Sequence, residues 1–324
     1  MQKFENITGT HITGPSFITI GNFDGLHRGH QALLRQVMVV AQEAFAKGAV
    51  AAPPQTGLLT FDPHPLAVLR PENPHFLLTT PAERLTLAGQ LGIDFGVIQQ
   101  FTREVAALEA RDFILLLKKH LGLAGLVVGP DFALGRGRKG DLNALRAMGD
   151  ELGYSLHVID PFTWSASPVR SSTIRAALQE GDVTTAAELL GRYYHVGGEV
   201  VHGDKRGRQI GVPTANIQLI PNKLLPKNGV YATRTTVQVA GEPHVFHSVT
   251  NLGVRPTVDG VQQRLESHLL HFPPTGEAGD LYGQWIIVEF IARLRDEQRF
   301  SSIEQLIAQI QLDIEQARQQ LSAM

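Results

Sequence analysis

The most constraining feature of the sequence is a change in its pattern near residue 190. Before it, short apolar strands alternate with amphipathic helices; after it, runs rich in valine, threonine and glycine follow one another without a helix until the C-terminus. Alternating strands and helices predict a parallel sheet covered on both faces. Consecutive strands joined by turns predict an antiparallel barrel or sandwich. We therefore predict an α/β domain over residues 1–186 and an all-β domain over residues 187–324, closed by a terminal helix.

The apolar runs of the first half place its strands. We expect them at Phe17–Ile20, Gly57–Phe61, Phe95–Gln99, Leu126–Val128 and Ser155–Ile159. The helix after the first strand is predicted to bury one face and to end at Gly48, its apolar positions being Leu33, Leu34, Val37 and Ala41. Asp182 is a predicted helix N-cap. In the terminal helix, capped by Ser301 or Ser302, the face predicted to pack on the barrel carries Ile303, Leu306, Ile307 and Ile310.

Composition narrows the classes of function. The 324 residues carry a net charge of -2 with a pI near 6.7, so the chain lacks the basic field that attracts nucleic acid. It has no cysteine, which excludes disulfides and thiolate metal sites. No run approaches the roughly 20 apolar residues that span a bilayer. We expect a cytoplasmic protein with no membrane or nucleic-acid partner, and the sequence does not indicate an oligomeric state.

The segment GNFDGLHRGH, residues 21–30, follows the first strand directly. A glycine-rich turn between a strand and a helix presents backbone N–H groups to a phosphate. His27 and His30 are three residues apart at the helix start, where both imidazoles can face one side. They suit the stabilisation of charge on a phosphoryl or nucleotidyl group during transfer. A metal held by both histidines and Asp24 is a less favoured alternative, because no further ligand pattern accompanies them.

Two more segments of the first half carry candidate ligand contacts. VGPDFALGRGRKGD, residues 128–141, leaves a strand and presents Asp131 and Phe132 with several basic residues on a loop. The carboxyl end of a parallel strand is where open α/β sheets bind ligands, although a solvated basic loop is the common alternative. VRSSTIR, residues 169–175, predicts a serine-capped helix start, which is itself an anion site.

In the second half, PTAN, residues 213–216, follows a basic loop with Lys205, and LESHLLHF, residues 265–272, reads as an alternating strand. By composition alone, the basic loop is as consistent with a solvated hairpin tip as with a ligand contact. The alternating pattern alone favours an outward-facing polar residue at Glu266, since Arg264, Glu266 and His268 share one face.

These motifs, with TFDPHP at residues 60–65, resemble those of the prokaryotic bifunctional riboflavin kinase/FAD synthetase family, in the same order over nearly the whole chain. The resemblance implies a Rossmann-like nucleotidyltransferase domain and a Greek-key riboflavin kinase barrel. It implies that His27 and His30 are catalytic in the first domain and that Thr214 and Asn216 of the second hold Mg²⁺, an ion that oxygen donors suit. It also implies that Glu266 is the general base of the second domain, on a strand expected to face a barrel opening, where a carboxylate can reach a primary alcohol. It also implies binding of ATP, riboflavin or FMN by further residues: Gly21, Asn22, Phe23, Asp24, Gly29, Asp131, Phe132, Ser171, Ser172 and Arg175 in the first domain, and Gly203, Lys205, Gly207, Pro213, Asn251 and Arg255 in the second.

One segment departs from the family pattern. The superfamily generally shows ISSTxIR, whereas Ser171 to Arg175 here is one residue shorter, so that Ser172 stands where the threonine is expected. The implied activities are phosphorylation of riboflavin to FMN and adenylylation of FMN to FAD. A kinase with an inactive first domain, a non-catalytic flavin carrier and adenylyl transfer to another small phosphate such as phosphopantetheine remain the alternatives.

Overall fold

The structure, a computed structural model, describes residues 1–165, 167–203, 207, 210–257, 260–273 and 280–322. It forms two compact units, Met1–Ser171 and Ser172–Met324. This division falls earlier than the domain boundary predicted after residue 186, which stays a prediction. In the described part of the chain, no helix combines the length and the apolar character needed to cross a membrane.

The first unit is built on a parallel sheet, as predicted. Its described strands, in the spatial order β1-β4-β3-β2-β5-β6, are β1 (Gln2–Glu5), β2 (Ser16–Ile20), β3 (Gln55–Asp62), β4 (Phe95–Gln100), β5 (Leu123–Val128) and β6 (Ser155–Val158). The connecting helices are α1 (Arg28–Ala46), α2 (Pro65–Leu69), α3 (Pro81–Gln90), α4 (Arg103–Ala107), α5 (Ala110–Leu121) and α6 (Leu142–Leu152). Chain order reverses between β2 and β5, which defines the topological switch point of the sheet.

Helices cover both faces of this sheet. Alternate residues of β2 enter different cores: Phe17 packs with Val37 and Ala41 of α1, whereas Ile18 packs with Ile114 and the rest of α5. The period of two along a strand explains this division. The buried face of α1 was predicted correctly at Leu34, Val37 and Ala41, and the sheet is doubly wound.

The second unit contains a closed antiparallel barrel, again as predicted. It follows α7 (Ser171–Glu180, which begins in the first unit) and α8 (Val183–Leu190). Its described strands are β9 (Tyr194–Val201), β10 (Ala215–Ile217), β11 (Gly229–Val239), β12 (Glu242–Thr257), β13 (Gly260–Leu269) and β14 (Trp285–Arg295). They close in the order β10-β13-β12-β11-β14-β9. Strands β11, β12 and β13 are joined by hairpins and β10 lies beside β13, which is a Greek-key arrangement.

A ring of buried hydroxyls fills part of the barrel interior. The ring runs in the order Thr233, Ser248, Thr235, Ser267 and Thr250, with each hydroxyl 2.6–3.0 Å from the next. All five side chains are fully buried. Each hydroxyl finds partners inside the ring, so burial leaves none of them unsatisfied. The ring ties β11, β12 and β13 together behind the outer face of the barrel.

The terminal helix α9 (Ile303–Ser322) packs on the barrel with the predicted helical face, but its buried residues lie in later turns than predicted. Ser302 caps it, as one of the two serines proposed, and accepts from the Gln305 N–H at 3.3 Å. Ile303 is 56% exposed, while Ile314, Ala317 and Leu321 are buried. The prediction placed the contact too early because the first turns are equally apolar, and tertiary packing selected the later turns.

Several short elements were not predicted. Edge strand β1 has the sequence QKFE, with one half-buried residue, so it lacks the apolar run on which a strand assignment rests. Strands β7 (Thr163–Trp164) and β8 (Ser167–Pro168) have two residues each. Strand β10 is three residues long and begins with the last two residues of the PTAN segment, Ala215 and Asn216. Elements this short show no periodicity, so their pairing depends on the surrounding fold.

Candidate functional sites

The turn after β2 is fixed by a buried ion pair. The Asp24 carboxylate accepts from the N–H groups of Leu78 and Thr79 at 3.2 and 3.0 Å, and Arg84 Nη2 lies 3.5 Å from its Oδ1. Asp24 and Arg84 are 2% and 1% exposed. Arg84 also donates to Thr60 Oγ1, which in turn donates to the Asn22 carbonyl. The predicted ligand residue Asp24 thus anchors the glycine-rich turn from inside the protein.

Arg84 was missed by the sequence analysis. It belongs to the amphipathic helix α3, where an arginine is normally read as an exposed charge. Thr80 and Glu83 just before it form a capping box, which places the start of α3 against the turn. Among the described residues, no group of three or more histidine, aspartate or glutamate side chains is arranged to hold a metal ion.

His27 and His30 are brought together at the start of α1. Their rings stack with centroids 3.6 Å apart, and the His30 N–H donates to His27 Nδ1 at 3.3 Å. A nitrogen that accepts a hydrogen bond carries no proton, so the neutral His27 ring carries its proton at Nε2 and can donate from there. A Cβ on Gly29 would lie 3.1 Å from the His27 ring. A side chain at position 29 would therefore press on the His27 ring, and the ring or the helix start would have to shift.

Phe23 completes the inner side of this turn. It is 3% exposed, and its ring meets the edge of the His30 ring with centroids 5.1 Å apart. A Cβ on Gly21 would lie 3.1 Å from the same phenyl ring. Gly21, Asn22 and Phe23 therefore shape the turn around the histidine pair.

A cavity of about 500 Å³ opens at the switch point, and we call it the sheet cavity. It is lined by both histidines and by the loop after β5, including Asp131 and Phe132. Gly29 and Ser171 also line it, and Ser171 Oγ donates to the Asp24 carbonyl at 2.9 Å. Ligands of open α/β sheets bind at this position. Ser172 and Arg175 follow on α7 in the second unit, and their roles stay predictions.

The two arginines of the loop after β5 are engaged with the protein. Arg138 donates to the Asp131 carbonyl at 2.7 Å, and Arg136 forms an ion pair with Glu109. A backbone bridge between Leu134 and Gly140 closes the loop. Asp131 and Phe132 are therefore presented to the sheet cavity by a folded loop.

A small hairpin adds a further wall to the sheet cavity. Phe162 and Pro168, which flank and end the β7–β8 pair, line the cavity. The Arg28 guanidinium lies 4.2 Å from the centre of the Trp164 ring. Arg28, which sits between the two histidines in sequence, thus holds the hairpin by a cation–π contact.

In the barrel, three predicted site residues from separate segments form one cross-strand row. Glu266 on β13 lies directly opposite Asn216 on β10 and, on its other side, opposite Asn251 on β12. Directly opposed residues have Cβ atoms roughly 5 Å apart. The row lies on the outer face of the barrel, because the neighbouring Leu265 and Ser267 are buried inside. Glu266 therefore faces outward beside α9, and the expectation that it faces a barrel opening is wrong.

Arg264 accompanies Glu266 on this face. Its Nη1 lies 3.5 Å from Glu266 Oε1, and both side chains are about 30% exposed, at 28% and 30%. The shared face of Arg264, Glu266 and His268 was predicted from the alternating strand. Arg264 and Glu266 therefore form a partly exposed ion pair on the outer face of the barrel.

Two cavities meet at this wall. The first, which we call the helix cavity, has about 420 Å³ and lies between the barrel and α9, with Asn251, Glu266 and Gly207 in its lining. The second, the loop cavity, has about 570 Å³ and is lined by Pro213 and by Asp280, Tyr282 and Arg318. Thr214 and His268 line both cavities. A group bound at Thr214 is accessible from either side.

The glycines of the preceding loop lie against the predicted metal ligands. A Cβ on Gly203 would fall 2.3–2.5 Å from the side-chain amide of Asn216, and one on Gly207 would lie 3.5 Å from Thr214 Oγ1. A side chain at position 203 would therefore displace the Asn216 amide from its place beside Thr214. Lys205 lies outside the described residues, as does the side chain of Arg255.

Comparisons with known proteins agree with this architecture. The FAD synthetase family profile matches residues 10–173, and the riboflavin kinase profile matches residues 190–321. The Escherichia coli (strain K12) bifunctional riboflavin kinase/FMN adenylyltransferase is 40% identical over 304 residues, which cover 93% of this chain and 91% of the relative. The Bacillus subtilis (strain 168) protein of the same name is 35% identical, with 95% and 96% covered.

A similar solved structure is that of a macrolide-efflux protein from Streptococcus pneumoniae. It superposes with a TM-score of 0.85 at 28% identity, covering 98% of this chain and 99% of that one. The name of that protein refers to efflux, whereas the sequence relatives above are named for flavin nucleotide synthesis. The likeness supports the fold described here.

Together, the two units define a two-domain transferase. The first unit, a parallel sheet with a histidine pair at its switch point, is typical of nucleotidyltransferases. The second unit, a barrel with Glu266 in a cross-strand row, is typical of small-molecule kinases. The chain belongs to the family of bifunctional riboflavin kinase/FMN adenylyltransferases. The predicted family and the predicted combination of activities are confirmed at this level.

Proposed function

We propose that the barrel transfers the γ-phosphoryl group of ATP to riboflavin, giving FMN and ADP, and that the first unit joins FMN to the AMP moiety of a second ATP, giving FAD and pyrophosphate. The observation that carries the proposal is the convergence of distant motifs on one cavity in each unit. Residues 27, 29, 30, 131, 132 and 171 line the sheet cavity, and residues 214, 251 and 266 line the helix cavity.

In the kinase reaction, the helix cavity suits riboflavin and the loop cavity suits ATP. Glu266 lines the helix cavity and accepts the proton of the ribityl 5'-hydroxyl as that oxygen attacks the γ-phosphorus. Asn251, opposite Glu266, is placed to orient the same ribityl chain. The polar side chains of the loop cavity, including Arg318, suit a nucleotide. Because Thr214 lines both cavities, the γ-phosphate at Thr214 can meet the hydroxyl at Glu266.

The residues of the barrel fit the Mg²⁺ that the family implies. Thr214 and Asn216 offer neutral oxygen donors, and Gly203 leaves the space that a side chain would fill beside Asn216. Mg²⁺ bound there with ATP neutralises negative charge on the phosphates during transfer. The loop proposed to surround the ATP phosphates contains Gly203, Lys205, Gly207 and Pro213. Arg255 is proposed to bind the flavin or its phosphate.

In the adenylyl transfer, the sheet cavity holds both nucleotides. A phosphate oxygen of FMN attacks the α-phosphorus of ATP in line, and pyrophosphate leaves without a covalent enzyme intermediate. His27 donates from Nε2 and His30 lies stacked on it, so both are placed to stabilise the charge that develops on the phosphate. Gly29, Asp131 and Phe132, which line the sheet cavity, are proposed to contact the phosphates, the nucleotide or the flavin. Gly21, Asn22, Phe23 and Asp24 are proposed to act through the shape of the turn, because the Gly21 N–H already donates to the Leu59 carbonyl at 3.0 Å. Ser171, Ser172 and Arg175 bind the triphosphate.

Product analysis tests the proposal. Purified protein is incubated with riboflavin, ATP and Mg²⁺, the flavins are separated by chromatography over time, and the run is repeated from FMN. We expect FMN to rise first and FAD to follow, and FAD to form directly in the second run. Unchanged flavins in both runs would contradict the proposal and favour a flavin carrier.

A kinase with an inactive first unit is the second candidate, and the shortened serine segment favours it. In that case FMN accumulates from riboflavin while no FAD forms from either substrate. The hydrogen bond from Ser171 to the glycine-rich turn favours a bifunctional enzyme, because it holds Ser171 at the sheet cavity although the segment is one residue shorter. The cytoplasmic location expected from the sequence stays a prediction.

A further inference from the structure

His268 has no role in the kinase reaction as proposed above, although it lies beside residues that do. It lies two residues after Glu266 on β13, so the period of two puts both side chains on the outer face of the barrel. It lines the helix cavity and the loop cavity, as Thr214 does. A side chain common to both cavities borders the place where, by the proposed function, phosphate and hydroxyl meet.

The His268 ring makes one short contact with the segment that carries Thr214. Its Nδ1 lies 2.7 Å from the carbonyl oxygen of Pro213. A carbonyl oxygen can only accept, so the imidazole donates from Nδ1, and in the neutral ring Nε2 carries no proton. The accepting carbonyl belongs to the peptide group that leads directly into Thr214.

The contact occurs where the backbone ladder stops. Strands β10 and β13 pair from Ile217 opposite Leu265 to Ala215 opposite Ser267. The same register would next place Thr214 opposite His268 and then Pro213 opposite Leu269. Pro213 has no N–H and cannot continue a ladder as a donor. The hydrogen bond from His268 therefore takes over from the ladder and ties the Pro213 carbonyl to β13.

We propose that His268 is a positioning residue of the kinase site, which fixes Thr214 at the junction of the two cavities by holding the Pro213 carbonyl. The inference rests on the proposed function, because it assigns His268 a role in the same phosphoryl transfer. Loss of this bond frees the peptide group before Thr214. Displacement of a positioned group by about 1 Å can lower a rate by about 100-fold.

The position of the donor nitrogen gives a direct test. In His268→Asn the amide nitrogen replaces Nδ1, in His268→Gln it falls nearer Nε2, and His268→Phe keeps a ring without a donor. We expect kcat for riboflavin phosphorylation to fall at least about tenfold in the Gln and Phe variants and to stay within about threefold in His268→Asn. The KM for riboflavin should agree within about twofold between His268→Asn and His268→Gln, because both variants replace the same imidazole in the lining of the helix cavity and differ in the position of the donor.

Adenylylation of added FMN by the same preparations is the internal control, and it should be unchanged in all three variants. Equal kcat values for the wild type and His268→Phe would overturn the inference. Equal losses in His268→Asn and His268→Gln would overturn it as well, and this comparison holds even if the Phe variant does not fold. A wild type that consumes no riboflavin would instead overturn the proposed function, and the inference with it.

Discussion

Glu266 lies directly opposite Asn216 in the ladder between β10 and β13, so the residue proposed as the base and a residue proposed for the metal are cross-strand neighbours. Replacing Glu266 by Gln keeps its size and removes the proton acceptor. We expect kcat for FMN formation to fall by about 10²–10⁴-fold, the usual contribution of a general base. Initial rates of riboflavin phosphorylation at saturating ATP measure the effect.

Glu289 offers a matched control for this substitution. It is a barrel glutamate with 26% side-chain exposure, paired with Arg234 at 3.0 Å, while Glu266 has 30% exposure and its own arginine partner. Glu289→Gln should leave FMN formation within about twofold of the wild type, because it removes a partly exposed ion pair of small energetic effect. Equal activity of Glu266→Gln and the wild type would show that Glu266 is not the base.

Gly29→Ala tests the geometry of the histidine pair. The added Cβ would lie 3.1 Å from Cε1 and 3.2 Å from Nδ1 of His27, so the ring or the helix start must shift. We expect FAD formation from FMN to fall by at least about tenfold, since the donors would leave their stacked position. FMN formation from riboflavin in the same protein should not change.

The control for Gly29→Ala is Gly9→Ala. A Cβ on Gly9 meets no atom within 4 Å, so this variant carries the same chemical change without the contact. Unaltered FAD synthesis is expected. If the two alanine variants make FAD at the same rate, the histidine pair does not depend on a bare glycine.

The long helices and the residues within each motif could be predicted from the sequence, because each is determined by a pattern inside one segment. The helix α1 buries Leu34, Val37 and Ala41 at helical spacing, and Asp182 caps α8 by accepting from the Thr185 N–H at 2.9 Å. The histidine pair was recognised because glycine-rich turns before helices have one common geometry. These features are local, so a single segment determines them.

The pairings between distant segments could not be predicted. Nothing in PTAN or ESHLL indicates that Asn216 and Glu266 are opposed, because register follows from closure of the barrel. The outward direction of Glu266 depends on which face of β13 meets the buried hydroxyl ring. Arg84 was missed for the same reason: its partner Asp24 is 60 residues away, and the helix pattern alone describes it as exposed.

The buried pair of Asp24 and Arg84 predicts an unusual mutational pattern. Arg84→Met leaves the Asp24 carboxylate buried without its counter-charge, which typically destabilises a protein by about 3–5 kcal/mol. Asp24→Asn combined with Arg84→Met removes both charges and should destabilise the first unit less than Arg84→Met alone. Urea unfolding followed by Trp164 fluorescence in a Trp285→Phe background reports on the first unit, because the chain has two tryptophans and Trp164 lies there.

The double variant is also the control for this experiment. If it is as unstable as Arg84→Met, the loss comes from packing or from the other hydrogen bonds of Arg84, and the unpaired carboxylate is not the cause. If both are as stable as the Trp285→Phe parent, the ion pair does not hold the turn. A parallel measurement of FAD formation shows whether the turn keeps its shape.

His157 on β6 predicts a loss of stability in mild acid. Burial lowers its pKa from the ordinary value of 6.5, while Glu43 raises it and Lys47 lowers it by smaller amounts. Between the ordinary pKa of 6.5 and the lowered pKa, the unfolded chain binds the proton more readily than the folded chain. The free energy of unfolding therefore falls as the pH falls through 6.5 toward the lowered pKa. In His157→Gln the titrating group is absent, so the drop in melting temperature between pH 7.5 and pH 5.5 should be smaller than in the wild type. Equal drops in the two proteins would assign the acid sensitivity to other groups.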